Sequence, residues 1–171
     1  MVFNEAKVVC MSVSAIYAGS FDPITNGHLD IIYRALSFFD SLYVVVANNL
    51  DKHMLFSLEE RLDMIHHSIG STRVHIVCFD GLLVDFARQH DVFHIIRGVR
   101  SMNDFSYESQ LAQVYQSQEP RIETIYLMAN QKFSHISSRI VKQLVQLKGN
   151  IADFVPVYVI NQLKDKYSGK N

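Results

Sequence analysis

Short apolar runs alternate along the chain with segments whose apolar residues recur every three or four positions. SAIYAG (14–19), LYVVVA (42–47), VHIVCF (74–79), VFHIIR (92–97) and IETIYLMA (122–129) are rich in β-branched and aromatic residues. Several are apolar without interruption, the pattern of parallel strands covered on both faces. Between them, residues 28–38, 58–69, 82–90 and about 104–118 carry helical spacing, with Leu58, Leu62, Ile65 and Ile69 on one face of the second. Ser57 and Glu60 form a capping box before that helix, and Gly70 follows it. After the fifth strand the pattern predicts helices over residues 137–147 and, past a break at Gly149-Asn150, over 157–166 behind Pro156. The alternation predicts an α/β fold: a single Rossmann-like, doubly wound domain with a five-stranded parallel sheet and helices on both faces. Such sheets bind ligands beyond the carboxyl ends of their strands, where strand order reverses. The loops after strands one, four and five are therefore where chemistry is expected.

Composition narrows the partners. With 171 residues, 49% of them hydrophobic, the chain can bury one good core. A formal charge of −1, with both signs spread along the chain, leaves no basic stripe and argues against a nucleic-acid partner. No apolar run approaches the eighteen or so residues of a membrane span, so no membrane association is expected. Residues 1–13 read as a flexible N-terminal extension without the basic start and apolar centre of a signal peptide, which leaves 14–171 as the domain. Cys10 and Cys78 lie in apolar, strand-like contexts without metal-ligand spacing and read as buried free thiols of a cytoplasmic protein. His53 and His66-His67 lack partners at a metal spacing, and GxxxxGK[ST], GxGxxG and GxSxG are all absent.

The three loops carry phosphate-seeking groups. After the first strand, Gly19 suits a close approach, Ser20 offers a hydroxyl and Asp22-Pro23 makes a turn. Thr25 or Asn26 can cap the helix that Gly27 and His28 begin. Free N–H groups and the positive end of the helix favour an anion there, with His28 beside it; a capped helix with an incidental histidine is the plainer alternative. After the fourth strand, Arg97 and Arg100 flank a glycine, two charged forks suited either to phosphate oxygens or to ion pairs with Glu108 or Asp104. After the fifth, Ser134, Ser137 and Ser138 precede another helix, where plain N-capping accounts equally well for one of them. Lys52 adds a charge after the second strand, as phosphate ligand or as an ordinary solvated lysine.

GSFDPITNGHLDI, FSLEER, IIRGVR, DFSYESQLA and ISSRIVK occur in an order and spacing that resembles the phosphopantetheine adenylyltransferase family, of the nucleotidyltransferases with a [TH]xGH signature. Relatives acting on nicotinate mononucleotide or glycerol phosphate typically have HxGH; Thr25 here favours the pantetheine branch. The resemblance implies transfer of the AMP part of ATP to 4'-phosphopantetheine, giving dephospho-CoA and pyrophosphate, with His28 as the catalytic residue. It implies that Ser20, Lys52, Leu83 and Arg97 bind phosphopantetheine. It implies ATP contacts from Ser20, Phe21, His28, Gly98, Val99, Arg100 and Glu108, and from Phe133, Ser134, His135, Ile136, Ser137, Ser138 and Arg139. It further implies Mg2+ bound through the phosphates of ATP, coenzyme A as a feedback inhibitor, and a homohexamer built as a dimer of trimers. Arg139 departs from the family by putting a charge where a hydroxyl is common. The rival readings are another acceptor phosphate for the same transfer, and a nucleotide sensor without turnover.

Overall fold

The structure, a computed structural model, describes residues 12–47 and 54–169. The elements follow as β1 Ser14–Gly19, α1 Asn26–Ala35, β2 Ser41–Ala47, α2 Leu58–Ser68, β3 Val74–Phe79, α3 Leu83–His90, β4 His94–Val99, α4 Met102–Gln118, β5 Glu123–Met128, α5 Ser138–Gln146 and α6 Val157–Ser168. All five strands are parallel, in the order β3-β2-β1-β4-β5. The chain winds outward from β1 to β3 and then crosses back to β4, so the order reverses between β1 and β4.

Alternation along the strands builds two cores. Tyr17, Leu42, Val44 and Val46 face Ile31 and Ile32 of α1, Met64 and Ile65 of α2, Val141 of α5 and Leu163 of α6. Ile16, Val45 and Ile95 face Val84, Phe86 and Ala87 of α3 on the other side. Helices on both faces explain why the central strands are mostly apolar.

Several boundaries differ from the sequence pattern, each for a local reason. β4 begins at His94 rather than Val92, because the Val92 N–H bonds to Ala87 O and closes α3 behind a left-handed Asp91. The ladder starts where His94 pairs with Ala15 and Glu123. α4 begins at Met102 because the Ser101 side chain caps it, accepting from Asp104 N. Cys78 is exposed, not buried. β3 is the sheet's outer strand, and an apolar run does not distinguish an edge from a centre.

Cys10 and residues 1–11 of the expected extension lie outside the described residues. Val13 is tied to Asp40, donating to Oδ2 at 2.8 Å and accepting from its N–H at 2.9 Å. No helix among the described residues is long and apolar enough to cross a membrane.

Candidate active site

The turn after β1 is shaped by packing. Phe21 has φ 46 and folds its ring back toward the strand end, where a Cβ on Gly19 would stand 3.1 Å from it. Glycine at 19 is thus required by its neighbour's ring. That ring meets Tyr17 edge-on at 5.6 Å and His28 at 5.1 Å between centroids. Asp22, joined to Pro23 by a cis peptide, is buried. Its carboxylate accepts from Leu55 N and Phe56 N, each at 3.0 Å, and from Lys142 Nζ at 2.6 Å. Arg61 of α2, equally buried, donates to the carbonyls of Ser20 at 2.8 Å and Ala47 at 3.1 Å. The Ser20 hydroxyl is left facing the cleft without a partner among the described residues.

Thr25, not Asn26, is the cap of α1, and His28 completes a capping box in the place where Glu or Gln usually stands. The Thr25 side chain accepts from His28 N at 3.3 Å, while His28 Nδ1 accepts from Thr25 N at 3.0 Å. A nitrogen that accepts a backbone N–H carries no proton, so in the neutral ring the proton sits on Nε2. Burial, and then the nearby Arg100 charge, push the imidazole pKa down to about 4. His28 therefore enters the cleft as a neutral donor at physiological pH.

The arginines form the ion pairs and also line the cleft. Arg97 donates from Nε to Glu108 at 2.5 Å and from Nη1 to Ala18 O at 3.2 Å. Burial opposes its charge, but the Glu108 carboxylate outweighs burial and holds the guanidinium pKa above its ordinary value. Arg100 pairs with Asp104 at 2.9 Å and donates to Ile136 O at 3.1 Å. The ion pairs fix two forks that line the same cleft. At the start of α5, Ser137 caps by accepting from Ile140 N at 3.1 Å, and Ser138 donates to Pro23 O at 2.7 Å. Gly27 and His28 at the start of α1 and Ser137 and Ser138 at the start of α5 thus line one space.

That space is a cleft of about 270 Å³ at the reversal between β1 and β4. It gathers Ser20, Phe21, His28, Arg97, Gly98, Arg100, Glu108, Phe133, Ile136, Ser137 and Ser138. Other candidates lie off its lining. Val99 is in the core, Leu83 packs against the opposite face of the sheet, and Ser134 Oγ donates to Gln131 O. His135 meets Phe154 edge-on, and Arg139 is exposed. Lys52 lies outside the described residues. The lining also includes Tyr17, Thr25, Ile31 and Ala129, which sequence reasoning did not select as ligand contacts. Tyr17 was concealed by its strand, where a lone tyrosine looks like core. In sum, two helix starts, two arginines, a neutral imidazole and a free hydroxyl converge, an arrangement suited to holding and stabilising phosphate groups.

Comparison with known proteins finds similar sequences and folds. The family model described as cytidylyltransferase-like matches residues 16–144. A phosphopantetheine adenylyltransferase of Desulfitobacterium hafniense (strain Y51) is 49% identical over 154 residues, which are 90% of this chain and 94% of the relative. One from Dictyoglomus turgidum is 45% identical over 159 residues, 92% of this chain and 99% of the relative. Among solved structures, nicotinic acid mononucleotide adenylyltransferase of Plasmodium falciparum, complexed with NaAD, superposes with a TM-score of 0.64 at 18% identity, over 92% of this chain and 96% of that one. A Vibrio parahaemolyticus protein described as a nicotinate-nucleotide adenylyltransferase gives 0.68 at 15% identity, over 91% and 93%. At such identities these two share the fold.

Proposed function

This chain belongs to the phosphopantetheine adenylyltransferase family, and on that premise we propose that it transfers the adenylyl group of ATP to 4'-phosphopantetheine, forming dephospho-CoA and pyrophosphate in coenzyme A synthesis. A phosphate oxygen of the acceptor attacks the α-phosphorus of ATP in line. The bond from that phosphorus to the bridging oxygen breaks, and pyrophosphate leaves with the electron pair. Because the acceptor is already an anion, no strong base is needed, and alignment and charge stabilisation are the main tasks.

The observation that carries the reading is the imidazole of His28 in the cleft, its Nδ1 accepting from the Thr25 backbone N–H at a helix start. From Nε2 it donates to a non-bridging oxygen of the transferring phosphate as charge builds there. Ser20 serves the phosphates where the two substrates meet. Arg97, shared with Glu108, serves the acceptor together with Lys52, while Arg100, Gly98 and the start of α5 serve the triphosphate. Phe133 and Ile136 supply apolar surface for the adenine.

Magnesium belongs to this reading as a companion of the triphosphate, held by phosphate oxygens, where it supplies charge neutralisation. The donor set of the cleft fits phosphate better than a bare cation. Glu108 is engaged by Arg97, and among the described residues no three His, Cys, Asp or Glu side chains converge on a point. We propose further that the enzyme is cytoplasmic and assembles as a dimer of trimers. Coenzyme A, which retains both halves of the product, is the feedback ligand of the same cleft.

Pyrophosphate release tests the reaction, using ATP with 4'-phosphopantetheine, nicotinate mononucleotide or glycerol phosphate. Release is expected with phosphopantetheine and not with the other two. Tight ATP binding with no release for any acceptor would sink the enzyme reading, and release with nicotinate mononucleotide alone would reassign the acceptor.

A further inference from the structure

Tyr17 lies where β1 meets β4, with Ile96 as its ladder partner. The residue is 7% exposed, yet it lines the cleft with His28, Arg97, Gly98, Arg100 and Glu108. A Cβ placed on Gly98 would stand 3.6 Å from the Tyr17 hydroxyl and 3.1 Å from Ile31 Cγ1. The hydroxyl therefore sits beside the glycine that lies between the two arginine positions, where a side chain would crowd it and Ile31.

No described residue hydrogen-bonds that hydroxyl. Arg97 spends Nε on Glu108 and Nη1 on the Ala18 carbonyl, and Arg100 is turned to Asp104 and the Ile136 carbonyl. The ring is buried, but its oxygen is not among the fully buried unpartnered atoms and so reaches the cleft surface. Here the available partner is whatever occupies the cleft, and the flanking guanidinium groups select an anion.

We propose that Tyr17 is a substrate-contacting residue, its hydroxyl donating a hydrogen bond to a non-bridging phosphate oxygen held between Arg97 and Arg100. The inference rests on the cleft being the site of phosphate chemistry and adds a donor to it. Burial holds the phenol pKa well above its ordinary value, against the smaller opposing pull of the two arginines. The group is thus a fixed donor at working pH and has no part as a base.

Tyr17→Phe removes the O–H and keeps the ring that packs on Phe21. With unchanged melting temperature, kcat/KM is expected to fall about 10- to 100-fold, the range for a charge-assisted hydrogen bond, and to do so evenly from about pH 6 to 9. A rise confined to KM for ATP or for phosphopantetheine identifies which phosphate is held; a fall in kcat alone places the contact on the transferring phosphate. As a second measurement, 3-fluorotyrosine incorporated at position 17 should shift its fluorine resonance when ATP or phosphopantetheine is added. Wild-type kinetics for Tyr17→Phe, or a resonance unmoved by both ligands, overturns the proposal. If the wild-type protein binds ATP but turns over no acceptor, the functional reading falls by itself, and Tyr17→Phe is then judged on calorimetric ATP affinity, where equality with wild type is again the overturning result.

Discussion

His28 and Thr25 exchange hydrogen bonds in both directions, so protonating Nδ1 would replace an accepted backbone N–H by two opposed donors. With burial and Arg100, this keeps the ring neutral down to about pH 4. The sign follows directly. Between the ordinary pKa of 6.5 and about 4 the unfolded chain binds a proton that the native ligand-free chain does not, so His28 draws stability down as pH falls through that window and contributes no pH dependence above it. A histidine NMR titration of the free protein should give His28 a midpoint near 4 and the Nε2–H tautomer at neutral pH; a midpoint near 6.5 would refute the capping-box account. In turnover, His28→Ala should lower kcat by about 10² or more with little change in ATP affinity, as expected for one lost charge-stabilising donor. Collapse of ATP affinity with normal kcat would make it a binding residue. The place of His28 at a helix start was legible from the sequence, because Asp-Pro, Thr and Gly punctuate the chain there. Its protonation state was not, since that depends on which of Thr25 and Asn26 caps and on a burial that only the folded sheet provides.

The turn between β1 and α1 takes its shape from distant parts of the chain. α2 supplies Arg61 to the Ser20 carbonyl, the segment before it supplies Leu55 N and Phe56 N to Asp22, and α5 supplies Lys142 to Asp22 and Ser138 to the Pro23 carbonyl. The loop before α6 accepts from Asn26 through the carbonyls of Phe154 and Asp153. Lys142→Met would leave the Asp22 carboxylate, 3% exposed, with two backbone donors and only Arg61, which makes no direct ion pair with it, as countercharge. A cost of about 2–4 kcal/mol and a fall in melting temperature of roughly 5–15 °C are expected by calorimetry. The loosened turn should also raise KM through Ser20, and an unchanged melting temperature would show that Asp22 needs no ion pair. Strands and helices were legible because period two and period 3.6 are local. The clasp was not, because Asp22 and Lys142 are 120 positions apart and neither is unusual in its own segment. The exposure of Cys78 was hidden for a related reason, since edge and centre are properties of the assembled sheet.

At the scale of the whole molecule, α4 is the element that one chain leaves unfinished. It is seventeen residues long and has no buried residue, while Met102, Phe105, Tyr107 and Val114 are all exposed. The helix is held at its first half through Arg97–Glu108, Arg100–Asp104 and the edge-on contact of Phe105 with Tyr126 at 5.2 Å, and at its second half through Tyr115, packed against the core beside α3, and the Gln118 carbonyl, which accepts from Arg88. Exposed apolar side chains along a long helix favour burial against other chains, and a formal charge of only −1 offers little repulsion to their approach. The dimer of trimers proposed above would use this surface. Tyr107 and Val114 lie two turns apart on one face, so Tyr107→Glu combined with Val114→Glu puts two charges into the contact without touching either core. Light scattering at micromolar concentration is expected to give six chains for the wild type and a smaller species for the double variant, with unchanged far-ultraviolet circular dichroism. A monomeric wild type would remove the hexamer, and a variant that remains hexameric would move the contact away from α4.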